Sequence, residues 1–301
     1  MADPVLHIKD AYFFEVPRVL WKHHYESLDD VPKFLTKAHP HESVKAFNHA
    51  LNGKILIPQP FGTRKNLFEK ESGFCISKFM VLEFLVAVIL IAVFTRFSKH
   101  IAEDGVPKGK WFNLLETLLL FVRDQIVRPA IGHGADRYVP LMWTFFFFIL
   151  GCNLFGLIPW AGAATGAFGT TIALACIVLC TTVGSGLKTF GPKWLWTGFV
   201  PTMDLPWIMW PLKLMIFVIE VLGLFIKHAV LGVRLLANMV AGHLVLLGIL
   251  SMALGFLSMA TIISVVGATL FSGLELFFAV LQAYIFTFLA ALFIGSAVHH
   301  H

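Results

Sequence analysis

A set of polar side chains lies inside two long apolar stretches near the C-terminus, where charged groups are rare. An ionisable group in the hydrocarbon core of a membrane costs about 3 kcal/mol or more, so such groups line polar pathways or form buried pairs. Carboxylate, imidazole and guanidinium groups in this setting are typical of proton or ion transfer. The residues are Glu220, Lys227, Arg234, Asn238, His243, Glu275 and Gln282.

Arg234 is the most constrained of these residues. It lies near the middle of its apolar stretch, too far from either end for its stem to carry the charge into water. Its guanidinium group does not lose its proton, so it must face a polar or anionic partner. A salt bridge that joins two helices of this chain is the alternative interpretation, but buried ion pairs stabilise a protein poorly compared with apolar packing.

The spacing of the polar residues along the first stretch divides them between two helix faces. At 100° and 1.5 Å per residue, Glu220 and Lys227 fall within about 40° of Arg234, roughly 21 and 10 Å away along the axis. Asn238 follows one turn after the arginine on the same face. His243 projects from the opposite side, about 13 Å further on. The predicted polar path therefore changes sides at a fixed positive charge.

In the second stretch, Glu275 and Gln282 share one helix face because they are seven positions apart. An imidazole titrates near neutral pH, so His243 beside Glu275 would suit proton transfer. For His243 alone, a hydrogen-bonded core histidine is the alternative interpretation. The layout predicts two aqueous half-channels, one from each membrane face, offset from one another with Arg234 between them. A carboxylate on a partner would carry the proton across the offset.

The composition calls for a membrane rather than water around most of the chain. The 301 residues are 57% hydrophobic and 14% charged, whereas soluble proteins carry about 25% charged residues. The acids after position 140 are Asp204, Glu220 and Glu275. The net charge of +5 comes from dispersed residues, which argues against nucleic-acid binding. The histidines of the first 78 residues lack the spacing of a zinc site, and we expect neither a metal nor a cofactor.

Apolar runs long enough to cross a bilayer predict an all-α integral membrane protein with about five membrane-crossing helices. The last two runs far exceed the roughly 20 residues of an upright span, so we expect both helices to tilt strongly or bend. The predicted spans are residues 79–95, 141–159, about 168–187, about 208–250 and about 256–298.

Two further regions are predicted outside the bilayer. Residues 1–78 form an extramembrane N-terminal arm with a few short helices, and residues 79–301 form the membrane domain. Residues 108–128 carry apolar side chains on one helix face, which predicts an amphipathic helix on the membrane surface that ends at Pro129. The basic cluster after the first span indicates a cytoplasmic side, so we expect the N-terminus outside and the C-terminus in the cytoplasm.

Four stretches of the chain resemble subunit a of F-type ATP synthases. The two longest are residues 231–243 (LGVRLLANMVAGH) and 274–286 (LELFFAVLQAYIF), and residues 153–159 (NLFGLIP) and 113–117 (NLLET) support them. The resemblance covers about residues 95–298 and does not include the N-terminal arm.

The resemblance implies both a set of partners and a mechanism. The chain would be a non-catalytic, proton-translocating stator subunit of a bacterial inner membrane, in contact with a ring of c subunits, the b subunits of the peripheral stalk, other ATP synthase subunits and the lipid bilayer. Arg234 would face the c ring, and Glu220 would line the cytoplasmic half-channel. Gly156 stands where some members carry an acid, so we expect no carboxylate from the hairpin that the second and third predicted spans form. The opposite half-channel would be lined by Asn153, Asn238, His243, Glu275 and Gln282.

Two other functions fit the sequence less well. A proton-coupled secondary transporter would also carry charged residues in tilted helices, but such folds show internal repeats and helices broken near the midplane, and the sequence has neither pattern. A membrane-embedded hydrolase would need His-x-x-x-His, paired aspartates or Gly-x-Ser-x-Gly inside a span, and none of these occurs. The residues of this chain leave the choice between protons and sodium ions open.

Overall fold

The computed structural model describes residues 10–15, 25–51, 53–59, 62–63, 72–104, 109–158, 162–192, 194, 210–255 and 259–299. Helices dominate this part of the chain, and five of them are long and apolar enough to cross a bilayer. This confirms the prediction of an all-α membrane protein with about five crossings. The spans are Lys78–Ile101, Val139–Gly156, Phe168–Phe190, Pro211–Ile249 and Thr261–Val298.

The helix ends follow the glycine and proline residues of the sequence. α6 (Val139–Gly156) and α8 (Trp210–Gly255) begin next to Pro140 and Pro211, since proline at the start of a helix loses no internal hydrogen bond. α7 (Phe168–Phe190) ends at Gly191, where φ is 75°. The helices are α1 (Lys33–Ala38), α2 (Val44–Leu51), α3 (Lys78–Asp104), α4 (Lys110–Phe121), α5 (Arg128–Ile131), α6 (Val139–Gly156), α7 (Phe168–Phe190), α8 (Trp210–Gly255) and α9 (Met259–Val298).

The N-terminal arm contains short strands as well as α1 and α2. β1 (Phe13–Glu15) pairs antiparallel with β2 (Lys54–Leu56), and β3 (Gly62–Thr63) pairs with β4 (Ser72–Gly73). The sequence predicted helices only, because strands of two or three residues are too short to show an alternating pattern. The arm has its own apolar core, formed by Ala11, Phe13, Val31, Leu35, Phe47 and Leu51.

The amphipathic helix does not end at Pro129, and that prediction was wrong. α4 runs on through a π-helical segment (Val122–Val127) into α5, and the helix ends at Gly132, where φ is 72°. The N–H of Arg128 donates to the carbonyl of Arg123, five residues back. A proline ring normally clashes with the carbonyl four residues before it, and we attribute its accommodation here to the wider π turn.

The main core lies where α5, α6 and the last turns of α9 pack together. Its largest buried side chains include Met142, Phe146, Phe286 and Ile294. Gly295 allows α9 to lie against α5, since a Cβ atom at this position would stand 2.2 Å from the carbonyl oxygen of Ala130.

The spanning helices define two ends of the membrane domain. We call the end at which α6 stops and α7 begins the hairpin end; the start of α3 lies there too, because Thr170 near the start of α7 donates to Glu83. At the opposite end, Trp194 and Ala297 are buried together beside Phe217 of α8. α8 therefore begins at the opposite end and runs towards the hairpin end.

Candidate functional site

Arg234 lies on an exposed face of α8 together with Glu220 and Lys227. Within the described residues, none of these three side chains forms an ion pair. α8 is poorly covered by the rest of the chain, because 11% of its most apolar 18 residues are buried, compared with 50% for α6. The seven-residue spacing places these side chains on one face, and that face is a bare surface of the isolated chain.

The opposite face of α8 is tightly packed at the level of Arg234. Leu231 and Leu235 are fully buried in the main core. Gly232 allows the backbones of α8 and α7 to approach closely, since a Cβ atom there would stand 2.9 Å from the carbonyl oxygen of Thr171 on α7. The contact with α7 fixes the direction in which the face of Arg234 points.

His243 and Glu275 meet between α8 and α9. The Nδ1 atom of His243 lies 3.4 Å from Oε1 of Glu275, and the two side chains are 13% and 6% exposed. Gly242 makes room for the carboxylate, because a Cβ atom at this position would stand 2.9 Å from the same oxygen. The sequence predicted this pairing across two helices, and the structure brings the two side chains together.

A cavity of about 170 Å³ opens beside this pair. Asn238, Gly242 and Glu275 contribute to its wall, together with the rings of Phe271 and Phe278. The volume suffices for several water molecules, and the carboxylate and the amide provide polar partners for them. Asn238 therefore lies between the exposed face of Arg234 and the buried pair.

Asn153 connects three segments of the chain by hydrogen bonds. Its Nδ2 atom donates to the carbonyl of Ala279 on α9 over 3.1 Å, and its Oδ1 atom accepts a bond of 2.7 Å from the hydroxyl of Thr165. Both Asn153 and Thr165 are completely buried. Thr165 was not predicted as a site residue, although it is the one hydroxyl residue in the link 160–167.

Gln282 follows Ala279 by one turn of α9 and is also buried. Its Nε2 atom has no acceptor among the described residues. A buried amide of this kind normally bonds to a neighbouring group or to water. Gln282 thus extends the polar face of α9 from Glu275 in the direction of the C-terminus, as the sequence predicted.

His228 is a second buried histidine, and its contacts are those of a hydrogen-bonded core histidine, which was the alternative interpretation for His243. Its Nδ1 atom lies 2.8 Å from the carbonyl oxygen of Leu224, and its Nε2 atom lies 3.4 Å from the hydroxyl of Thr182. The ring packs against Phe293. Both ring nitrogens have partners within the chain, so His228 joins α8 to α7 and needs no other role.

The π-helical segment carries an ion-pair network outside the spans. Asp124 accepts hydrogen bonds from Arg123 and Arg128, and Arg128 also pairs with Asp136. The hydrogen bond from Arg123 is the main cause of a lowered pKa of the Asp124 carboxyl, and the positive charges of both arginines add to it. Among the described residues there is no group of three or more histidine, cysteine or acidic side chains that could hold a metal ion.

Comparison with known proteins gives a consistent result. A family model described as ATP synthase A chain matches residues 80–295. A protein of Chloroherpeton thalassium named ATP synthase subunit a is 37% identical over 87% of this chain and 79% of its own length. Proteins of the same name from an Anaeromyxobacter species and from Myxococcus xanthus are 37% and 41% identical, over 98% and 75% of this chain and 70% and 75% of their own lengths.

Proposed function

The chain belongs to the ATP synthase subunit a family, and from this premise we propose that it forms two offset proton half-channels with Arg234 between them. As a member of that family it is a multi-pass, proton-translocating subunit of the membrane sector, and other ATP synthase subunits are its partners. The half-channels, the role of the arginine and the individual partners are the proposal.

The observation that carries the proposal is the position of Arg234 between two different polar environments. On one side along α8 stands the exposed Glu220. On the other stand the buried His243 and Glu275 with their cavity. A permanent cation between two proton paths repels a proton that would cross directly. Protons must then cross on a mobile carrier.

We propose that a ring of c subunits provides this carrier and covers the bare face of α8. A ring carboxylate would receive a proton beside His243 and Glu275, leave with the turning ring, and return to Arg234 from the side of Glu220. Contact with an arginine favours the ionised form of a carboxylate, so the proton would be released there. Asn153, Asn238 and Gln282 would line the first path.

The remaining assignments belong to the same proposal. The hairpin end and the N-terminal arm of residues 1–78 would lie outside a bacterial inner membrane, and the opposite end and the C-terminus would face the cytoplasm. The amphipathic helix would contact the b subunits of the peripheral stalk. The chain would make and break no covalent bond itself.

Arg234→Lys and Arg234→Ala test this function in vesicles that carry the complete complex. Arg234→Lys should abolish ATP-driven proton pumping, because an ammonium group is shorter than a guanidinium group and can lose its proton. Arg234→Ala should also abolish pumping and should allow passive proton leak. Lys227→Ala, a charge removed from the same exposed face, is the matched control and should keep coupling. Normal coupled pumping by Arg234→Ala would refute the proposal.

A further inference from the structure

Glu83 is an acidic side chain within the first span that has no part in the mechanism above. It lies on α3, is half-buried, and accepts a hydrogen bond from the hydroxyl of Thr170 at the start of α7. A carboxyl group inside a span has an unfavourable free energy of burial, and such groups usually line a polar path or form a buried pair. Here the partner is a neutral hydroxyl, which leaves the carboxyl group able to take up a proton.

Three carboxyl groups of increasing burial are found between the arm and the candidate site. Asp10 is exposed on the arm, and its Oδ1 atom lies 3.5 Å from the backbone nitrogen of Phe79 at the start of α3. Glu83 follows one turn further along and lies within electrostatic reach of Asp10. Glu275 is almost completely buried. This order is that of a path from water into the membrane domain.

The gap between Glu83 and Glu275 is spanned by the segment that joins α6 to α7. Next to Glu83, Val86 packs on the turn of α6 that contains Cys152, and Cys152 is followed directly by Asn153. The hydrogen bonds of Asn153 then lead from Thr165 to the backbone of α9, one turn after Glu275. Thr165 lies in this segment, and Thr170 lies in the first turn of α7, directly after it. Polar groups from the end of α6, the joining segment and the start of α7 thus lie between the two carboxyl groups.

We propose that Glu83 is the outermost proton-carrying group of the membrane-embedded inlet and that Thr170 is the residue that positions it. This inference rests on the proposed function. Glu83 would take a proton from water at the hairpin end and pass it inwards to water beside Asn153, which regenerates the carboxylate for the next proton. The titratable groups that interact with Glu83 in the described part of the chain are Asp10 on the arm and Cys152 on α6, while α7 contributes the hydroxyl of Thr170. Lys78 on α3 lies within electrostatic reach of Asp10 and Glu15.

A purely structural role of Glu83 would be to hold α3 against α7 through the same hydrogen bond. The two roles differ in what a glutamine can replace. The amide oxygen of Glu83→Gln can still accept the bond from Thr170, but the amide group does not carry protons at neutral pH. Glu83→Asp keeps a proton-carrying group on a shorter stem. Glu42→Gln removes an exposed acid of the arm and is the matched control.

The experiment measures ATP synthesis by vesicles that carry the complete complex, at a constant driving force set by a potassium diffusion potential. The pH on the proton-uptake side is varied, and the potassium potential is adjusted each time to offset the change in the pH difference. Glu83→Gln should lower the rate roughly tenfold when that side is alkaline, because loss of a positioned proton-transfer group matters most when protons are scarce. The rate should approach that of the unchanged chain when that side is acidic. Glu83→Asp and Glu42→Gln should stay within about twofold throughout.

Two results would overturn the inference. One is an unchanged rate of Glu83→Gln at every pH. The other is an equal loss at every pH that Glu83→Asp shares, since that pattern indicates damaged packing of α3. Arg234→Ala, measured in the same preparation, distinguishes failure of this inference from failure of the proposed function. If Arg234→Ala loses coupling and Glu83→Gln is unchanged, this inference is wrong and the proposed function stands. If Arg234→Ala keeps coupling, the proposed function is wrong.

Discussion

The two sides of Arg234 along α8 differ in how completely this chain surrounds their polar residues. Towards the end of the membrane domain that lies opposite the hairpin end, Glu220 and Lys227 are exposed and form no ion pair with a described residue. Towards the hairpin end, His243 contacts a buried Glu275 beside a cavity. We infer that the chain builds most of one polar path by itself and leaves the other to be completed by a second surface.

The difference arises from helix geometry. Steps of seven residues keep Glu220, Lys227 and Arg234 on one face, while the nine-residue step to His243 crosses to the other. The face that α7 and α9 cover can hold buried hydrogen bonds, whereas the bare face cannot. One continuous helix therefore serves both an internal path and an interface.

The largest expected effect concerns the two carboxyl groups on either side of Arg234. Glu275→Gln should lower ATP-driven proton pumping about a hundredfold, since a buried group in a closed path has no substitute. Glu220→Gln should lower it about tenfold or less, because water can reach an exposed position. Acidification of vesicles that carry the complete complex measures both. We call the buried path beside Glu275 the closed side and the exposed path beside Glu220 the open side. Equal losses in the two variants would show that the two sides do not differ in this way.

The exchange His243→Glu with Glu275→His is the matched control for the closed side. It keeps both chemical groups in contact, so it should retain part of the activity that either neutral variant loses. Complete loss in the exchange, together with no loss in the single variants, would show that the pair does not act as a unit.

Next in size is the effect of the close approach between α8 and α7. Gly232→Ala would place a Cβ atom 2.9 Å from the carbonyl oxygen of Thr171 and push α8 towards its bare face. Overpacking of this kind costs roughly 1–3 kcal/mol, and pumping should fall because Arg234 moves with the helix. Gly248→Ala on the same helix meets no atom within 4 Å and should behave as the unchanged chain. Similar activities of the two variants would show that the contact with α7 does not position the arginine.

A smaller effect is expected when the hydrogen bonds of Asn153 are removed. Asn153→Ala leaves the hydroxyl of Thr165 and the carbonyl of Ala279 without their present partner, which should lower the free energy of unfolding by about 1–3 kcal/mol. Thermal unfolding of the purified chain in detergent measures the loss. The exposed Asn113→Ala is the control and should leave the melting temperature unchanged. An unchanged melting temperature in Asn153→Ala would mean that these bonds do not hold the closed side together.

The sequence alone predicted the spanning helices, the division of α8 into two faces and the pairing of His243 with Glu275, because each depends on helical periodicity. It did not predict that Thr165 bonds to Asn153 or that Thr170 bonds to Glu83. Those contacts depend on how an irregular link folds, and no periodicity describes such a link. The end of the amphipathic helix was misplaced because a proline usually stops an α-helix, and the π turn that accommodates it leaves no simple mark in the sequence.

The smallest effect should lie outside both regions, at Asp124 of the π-helical segment. Its pKa is lowered in the folded chain, chiefly by the hydrogen bond from Arg123. The resulting stabilisation is fully present above the ordinary carboxyl pKa of about 4 and is lost as the pH falls through the lower folded value. Asp124→Asn should therefore melt slightly below the unchanged chain at neutral pH, and the difference should shrink in strong acid. A difference that grows on acidification would contradict the assigned direction of the pKa change.

Cross-linking tests most directly whether the bare face of α8 is completed by a second subunit. Lys227→Cys places a thiol on the same face as Arg234, and the exposed native Cys176 and Cys180 on α7 serve as internal controls. In the complete complex with a cysteine introduced on the ring helix at the level of Lys227, about two turns from the ring carboxylate, oxidation should join Lys227→Cys to one c subunit, while the unchanged chain should give no such product. A product from Cys176 or Cys180 in the unchanged chain, with none from Lys227→Cys, would contradict the account.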